Sequence, residues 1–184
     1  MSRLDGKILV TGGAGFIGST FVRRRLAATD DTIVVLDKLT YAGTLANLDG
    51  VDETRCRFVR GDIADGAVVA PLVAEVDAIV SFAAESHVDR SILDPEAFLR
   101  TGVTGVHVLL EAARAERDRR GPGGRIRLVQ VSTDEVYGES MNQVDETHKT
   151  EHSILCPTNP YAATKAGAEL IAPGILSRRL SQET

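Results

Sequence analysis

Five short apolar runs recur along the chain, at residues 7–11, 32–36, 57–60, 78–82 and 126–131. They are rich in Val and Ile, as strands buried on both faces are. Longer stretches with helical spacing lie between them. The clearest carries Phe98, Val106, Leu109, Leu110 and Ala113 at three- and four-residue steps, with Pro95 near its start. Arg120 to Gly124 (RGPGG) reads as the loop that ends this helix. Parallel strands need crossover connections, so alternating strands and helices predict an α/β fold: a doubly wound parallel sheet with helices on both faces.

The turn after the first run narrows this further. Thr11-Gly12-Gly13-Ala14-Gly15-Phe16-Ile17-Gly18 joins a strand to a helix. Gly12 allows the tight turn, Gly15 lets backbone N–H groups approach a pyrophosphate, and Gly18 lets the helix pack close to the strand. The spacing is GxxGxxG rather than GxGxxG, and alone it also suits an ordinary glycine-rich turn. Asp37, ending the second strand about 20 residues on, supplies the acid that accepts hydrogen bonds from ribose hydroxyls in a Rossmann-like dinucleotide site. A carboxylate there repels the extra phosphate of NADP and favours NAD, whereas Lys38 beside it would tolerate that phosphate. Asp62 and Ile63 follow the third strand, where they could flank an adenine.

Tyr161 and Lys165 stand at i and i+4, so on a helix they share a face. A nearby ammonium favours the phenolate, which would lower the tyrosine pKa from about 10 and make Tyr161 a base for a sugar hydroxyl. Ser132 and Thr133 fall at the C-terminal edge of the sheet. Asp134 and Glu135 follow them, as adjacent carboxyls that are turn acids in isolation and a paired acid and base in a nucleotide-lined crevice. Elimination of water needs such a pair, and a simple dehydrogenase does not. His87, Asp89 and Ser91 lie too close together in sequence for triad geometry and read as loop polarity.

At 184 residues, 43% of them hydrophobic, the chain can bury one full core. Its net charge of −5 offers no basic field for nucleic acid phosphates. No apolar run is long enough to cross a bilayer, and no signal-peptide segment opens the chain. Cys56 and Cys156 show no metal-binding spacing. These features predict a soluble cytoplasmic protein with no metal site.

TGGAGFIG, Leu36 to Gly43, FAAESHVDRS, Ser132 to Gly138 and Asn159 to Lys165 together resemble dTDP-glucose 4,6-dehydratases of the extended short-chain dehydrogenase/reductase superfamily. The resemblance covers residues 6 to 171 and implies NAD as cofactor and dTDP-glucose as substrate. It also implies a homodimer through the helix after the fourth strand and the helix bearing Tyr161. It assigns Tyr161, tuned by Lys165, to the glucose 4-hydroxyl, Glu135 to the C5 proton and Asp134 to the departing C6 hydroxyl, with Thr133 near the 4-hydroxyl. Phe16, Ile17, Asp37, Lys38, Leu39, Thr40, Asp62, Ile63, Phe82, Ala83, Ala84, Glu85, Ser86 and Thr101 would line the cofactor, together with Tyr161 and Lys165, and Ser86 would also touch substrate. The alternatives are a truncated NAD-binding module without catalysis, or another sugar-nucleotide epimerase or decarboxylase.

Two departures stand out. Gly102 replaces the family's usual asparagine after Thr101, which in such folds bonds backbone at a helix irregularity; its loss predicts a looser site at a cost of about 1 kcal/mol in helix propensity. Pro173-Gly174 should break the Tyr161 helix. The expected division is therefore an NAD-binding domain over 1–171 and an atypical tail over 172–184, without the last strand or strands and the substrate domain, leaving the fifth strand as a sheet edge.

Overall fold

The computed structural model describes residues 6–138 and 148–176. Five strands, β1 (Lys7–Thr11), β2 (Thr32–Asp37), β3 (Cys56–Arg60), β4 (Ala78–Ser81) and β5 (Arg127–Gln130), form one parallel sheet in the order β3-β2-β1-β4-β5. Each expected strand is present, with ends shifted by no more than a residue. β1 is central, pairing Ile8 with Ile33 of β2 on one side and with Ala78 of β4 on the other. β5 is an edge of the described sheet, as expected.

Alternation along the strands divides the core. Leu9, Val34, Leu36 and Ile79 face one side, against Val69, Leu72 and Val73 of α2 (Gly66–Ala74) and Leu109 and Ala113 of α5 (Val106–Arg119). Ile8, Val10, Ile33, Val35, Ala78 and Val80 face the other, against Val22 and Leu26 of α1 (Phe16–Ala28). A strand with both faces covered has no place for polar side chains, which explains the unbroken apolar runs. Each buried Leu, Ile or Val contributes about 1.5–3 kcal/mol.

The helix expected from Pro95 forms in three joined pieces. After the short α3 (Val88–Leu93), α4 (Pro95–Leu99) is capped by Asp94 and passes through a π-helical turn at Arg100–Gly105 into α5. Gly102 sits inside this turn, so the irregularity forms without an asparagine. A Cβ on Gly102 would lie 2.8 Å from Thr164 Oγ1 and 2.9 Å from Thr164 Cβ. The glycine is a point of close helix–helix approach, and the space of the missing side chain is occupied rather than loose.

The expected break at Pro173 does not occur. α6 runs over Pro160–Leu176, through Pro173. Proline removes one i to i−4 hydrogen bond, but Ile171, Ala172 and Ile175 continue the apolar stripe of Ala168 onto Val106, Leu110 and Leu128. Tertiary packing on both sides of the proline carries the helix past it. The remainder of the expected tail, from residue 177, lies outside the described residues.

Candidate active site

All five strands point the same way, so their C-terminal ends open onto one edge of the sheet. Chain order reverses between β1 and β4, and a cleft of about 350 Å³ lies at that junction. Every residue expected to line a cofactor borders this cleft, except Leu39. Leu39 instead takes a left-handed backbone (φ 57°) and donates its N–H to Asp37 Oδ1 at 2.8 Å. Ser132, expected at the ligand-binding edge of the sheet, also lines the cleft, and Leu36, Ala42, Gly43, Gly61 and Val131 do so without having been expected there.

The glycine turn forms the floor. Gly12 has φ 69°, and a Cβ on it would meet the Ala83 nitrogen at 2.6 Å. A Cβ on Gly18 would collide with the Gly12 carbonyl oxygen, so α1 packs directly on the turn. Gly15 caps α1 without a side-chain bond, and the first turn carries no acid. The first-turn N–H groups thus lack internal acceptors and border the cleft beside exposed Phe16 and Ile17.

Asp37 accepts the Ala14 N–H on Oδ2 at 3.0 Å, tying β2 to the glycine turn. A carboxylate has about four acceptor positions, so its two backbone bonds leave capacity for ribose hydroxyls. Lys38 turns inward: its Nζ lies 3.0 Å from Glu85 Oε1 and 3.0 Å from Thr101 Oγ1. Its charge is engaged by a buried carboxylate, which removes the support for the phosphate-tolerant reading. Asp62 accepts from the Ala64 N–H at 2.9 Å and pairs with Arg100 at 3.1 Å. Burial opposes its ionisation, but the Ala64 N–H, Arg100 and Lys38 outweigh it and hold its carboxyl below the usual range. A glycine floor, free helix N–H groups and an acid with spare acceptor positions fit a dinucleotide.

The reactive end is built by β5 and α6. Thr133 caps a 3₁₀ turn, Asp134–Tyr137, accepting the Glu135 N–H at 3.4 Å and donating to Asp134 Oδ1 at 3.3 Å. Asp134 is exposed and Glu135 half-buried. Asn159 is a site residue that sequence reasoning left without a role. Its Nδ2 donates to Glu135 Oε2 at 3.0 Å, and its Oδ1 accepts the Ala162 N–H at 2.8 Å. The same side chain therefore caps α6 and holds the Glu135 carboxylate; its place just before Pro160 is the helix-start signal that could have revealed the first role.

The expectation that Lys165 lowers the Tyr161 pKa is overturned. Burial pushes the Tyr161 phenol above its usual 10, with Glu135, Asp134 and Tyr41 acting the same way against a Thr133 hydrogen bond. Lys165 Nζ instead donates a hydrogen bond to the Val131 carbonyl at 2.8 Å, and burial pushes its pKa down to about 8, opposed by Glu169. Sharing a helix face does not join the two groups when a strand-end carbonyl competes for the ammonium. His87 precedes α3 and stacks near Tyr41, while the Ser91 hydroxyl donates to the Val88 carbonyl at 2.6 Å, so no serine–histidine pair forms.

Residues 9–176 match the family model for GDP-mannose 4,6 dehydratase. A low-salt glycan biosynthesis protein, Agl12, of Haloferax volcanii is 54% identical over 89% of this chain and 50% of its own length. The dTDP-glucose 4,6-dehydratase of Streptomyces antibioticus is 50% identical over 90% of this chain and 47% of its own. The crystal structure of DesIV, a dTDP-glucose 4,6-dehydratase from Streptomyces venezuelae solved with NAD bound, superposes with a TM-score of 0.80 at 51% identity, covering 91% of this chain and 51% of that one. The chain spans about half the length of the curated relatives it matches. No helix among the described residues is long and apolar enough to cross a membrane. With the family model matched over most of its length, the chain belongs to the GDP-mannose 4,6 dehydratase family of the extended short-chain dehydrogenase/reductase superfamily.

Proposed function

We propose that the chain carries the NAD-binding and reactive half of a dTDP-glucose 4,6-dehydratase. The observation that carries this reading is the convergence of Thr133, Asp134 and Glu135 with Tyr161 beside the dinucleotide-shaped cleft. An acid–base pair next to a phenol suits elimination better than simple oxidation. The engagement of Lys38 by Glu85 leaves the Asp37 carboxylate unopposed and supports NAD over NADP.

In this reading the glycine turn and the N-terminus of α1 hold the pyrophosphate, Asp37 the adenosine ribose, and Asp62 and Ile63 the adenine. A bound NAD would supply reversible hydride chemistry, oxidising the sugar at C4 and reducing it at C6. Tyr161 Oη takes the proton of the 4-hydroxyl, with Thr133 oriented toward the same oxygen. The Glu135 carboxylate, fixed by Asn159, takes the C5 proton, and Asp134 gives a proton to the leaving C6 hydroxyl. Hydride return to C6, with the proton given back from Glu135 to C5, leaves the 4-keto-6-deoxy sugar, and the proton gained by Tyr161 balances the one that Asp134 lost. Exposed Ile92, Leu93 and Leu99 on α3 and α4 support a homodimer through this helical face.

The test is incubation with NAD and dTDP-glucose, followed by product analysis, alongside calorimetric titration with NAD. A 4-keto-6-deoxy product is expected. NAD binding without turnover would leave a dinucleotide-binding module, and absence of NAD binding would sink the proposal.

A further inference from the structure

Two side chains of α6, one helical turn apart, reach consecutive residues at the end of β5. Lys165 Nζ donates to the Val131 carbonyl at 2.8 Å. The Ser132 hydroxyl donates to Glu169 Oε1. Positions i and i+4 share a helix face, so this double grip sets a carboxylate near an ammonium that is only 5% exposed. Glu169 itself does not line the cleft, whereas Val131, Ser132 and Lys165 do.

An ammonium buried this deeply tends to lose its proton unless an opposite charge stands nearby. The other charged groups around Lys165 are engaged elsewhere. Asp134 bonds Thr133, Glu135 bonds Asn159, and both act on Tyr161 on the same helix. Across the cleft, Glu85 pairs with Lys38, and Asp62 pairs with Arg100 of the π-helical turn. Asp37 bonds the N–H groups of Ala14 and Leu39. Glu169 is the charge that opposes the burial of Lys165.

We propose that Glu169, tethered by Ser132, is a positioning residue that keeps the Lys165 ammonium charged and directed at the cleft. The inference rests on the reading of Lys165 as the cation of the dinucleotide site, and it adds a carboxylate that acts through that cation from outside the site. Ser132 gains a role with it: its hydroxyl fixes Glu169 rather than a ligand.

The test is an NMR titration of the lysine side-chain resonances in the full chain, which has four lysines, with Lys165 assigned by loss of its signal in Lys165→Arg. Glu169→Gln is expected to lower the Lys165 midpoint by about one pH unit. Glu169→Asp should restore part of that drop. Ser132→Ala, which keeps the charge and removes the tether, should give a smaller drop. An unchanged midpoint in folded Glu169→Gln overturns the charge role, and an unchanged midpoint in Ser132→Ala overturns the tether. Should Glu169→Gln not fold, Ser132→Ala decides. The titration is read without NAD or sugar, so failure of dinucleotide binding would remove the proposed function and leave this result standing.

Discussion

Lys165 and Tyr161 are both pushed toward their neutral forms, Lys165 down to about 8 and Tyr161 above 10. For Lys165 this has a consequence for stability with a definite sign. Between about pH 8 and 10 the unfolded chain holds a proton on this lysine that the folded chain has released. Stability from this site therefore rises across that window, which lies below the range where Tyr161 titrates. Urea unfolding of the parent protein and Lys165→Met should show the steeper rise in the parent, and parallel curves would contradict it. Tyr161→Phe tests the proposed base directly. Turnover of dTDP-glucose should fall by about 10²–10⁴-fold while calorimetric NAD affinity changes little. At this scale the sequence was informative about identity and poor about pairing: Tyr161, Lys165, Asp134 and Glu135 could be named from spacing, but the competition of the Val131 carbonyl for Lys165 exists only once β5 lies against α6.

α6 shows how elements escape local rules. Pro173 is a helix breaker by propensity, yet Ile175 beyond it is buried against α5, and packing wins over the lost hydrogen bond. Expected strand positions held because strands covered on both faces leave an unbroken apolar signal. The π-helical turn was foreshadowed only by family likeness, since Gly102 alone reads as a weak helix residue. Its tight approach to Thr164 gives a prediction: Gly102→Asn should destabilise by about 1–3 kcal/mol, because Thr164 is buried, β-branched and hydrogen-bonded to the Tyr161 carbonyl. Adding Thr164→Ala should recover part of that loss, as chemical denaturation would register. Asn159→Ala should cost about 1 kcal/mol through the lost cap on α6, and it should also slow product formation because Glu135 loses its donor. A variant that lost stability with unchanged turnover would separate the two roles.

Across the whole molecule, the cleft draws on seven separate stretches of chain, from Gly12 to Lys165. No local segment contains it, so a ligand that fills it binds only the folded sheet. NAD at about 100 times its dissociation constant should add about 2.7 kcal/mol to folding stability, visible as a raised thermal midpoint. An unshifted midpoint would argue against binding to the native state. The strand order also divides the labour. In the proposed reading, β3, β2 and β1 bring Asp62, Asp37 and the glycine turn to the dinucleotide, while β5 brings Thr133, Asp134 and Glu135 to the reaction. The boundary between them is the β1–β4 junction. On the proposed function the reaction type would accordingly be exchangeable: rewriting the few residues after β5 would redirect the chemistry, while the N-terminal half of the sheet would keep the same coenzyme grip.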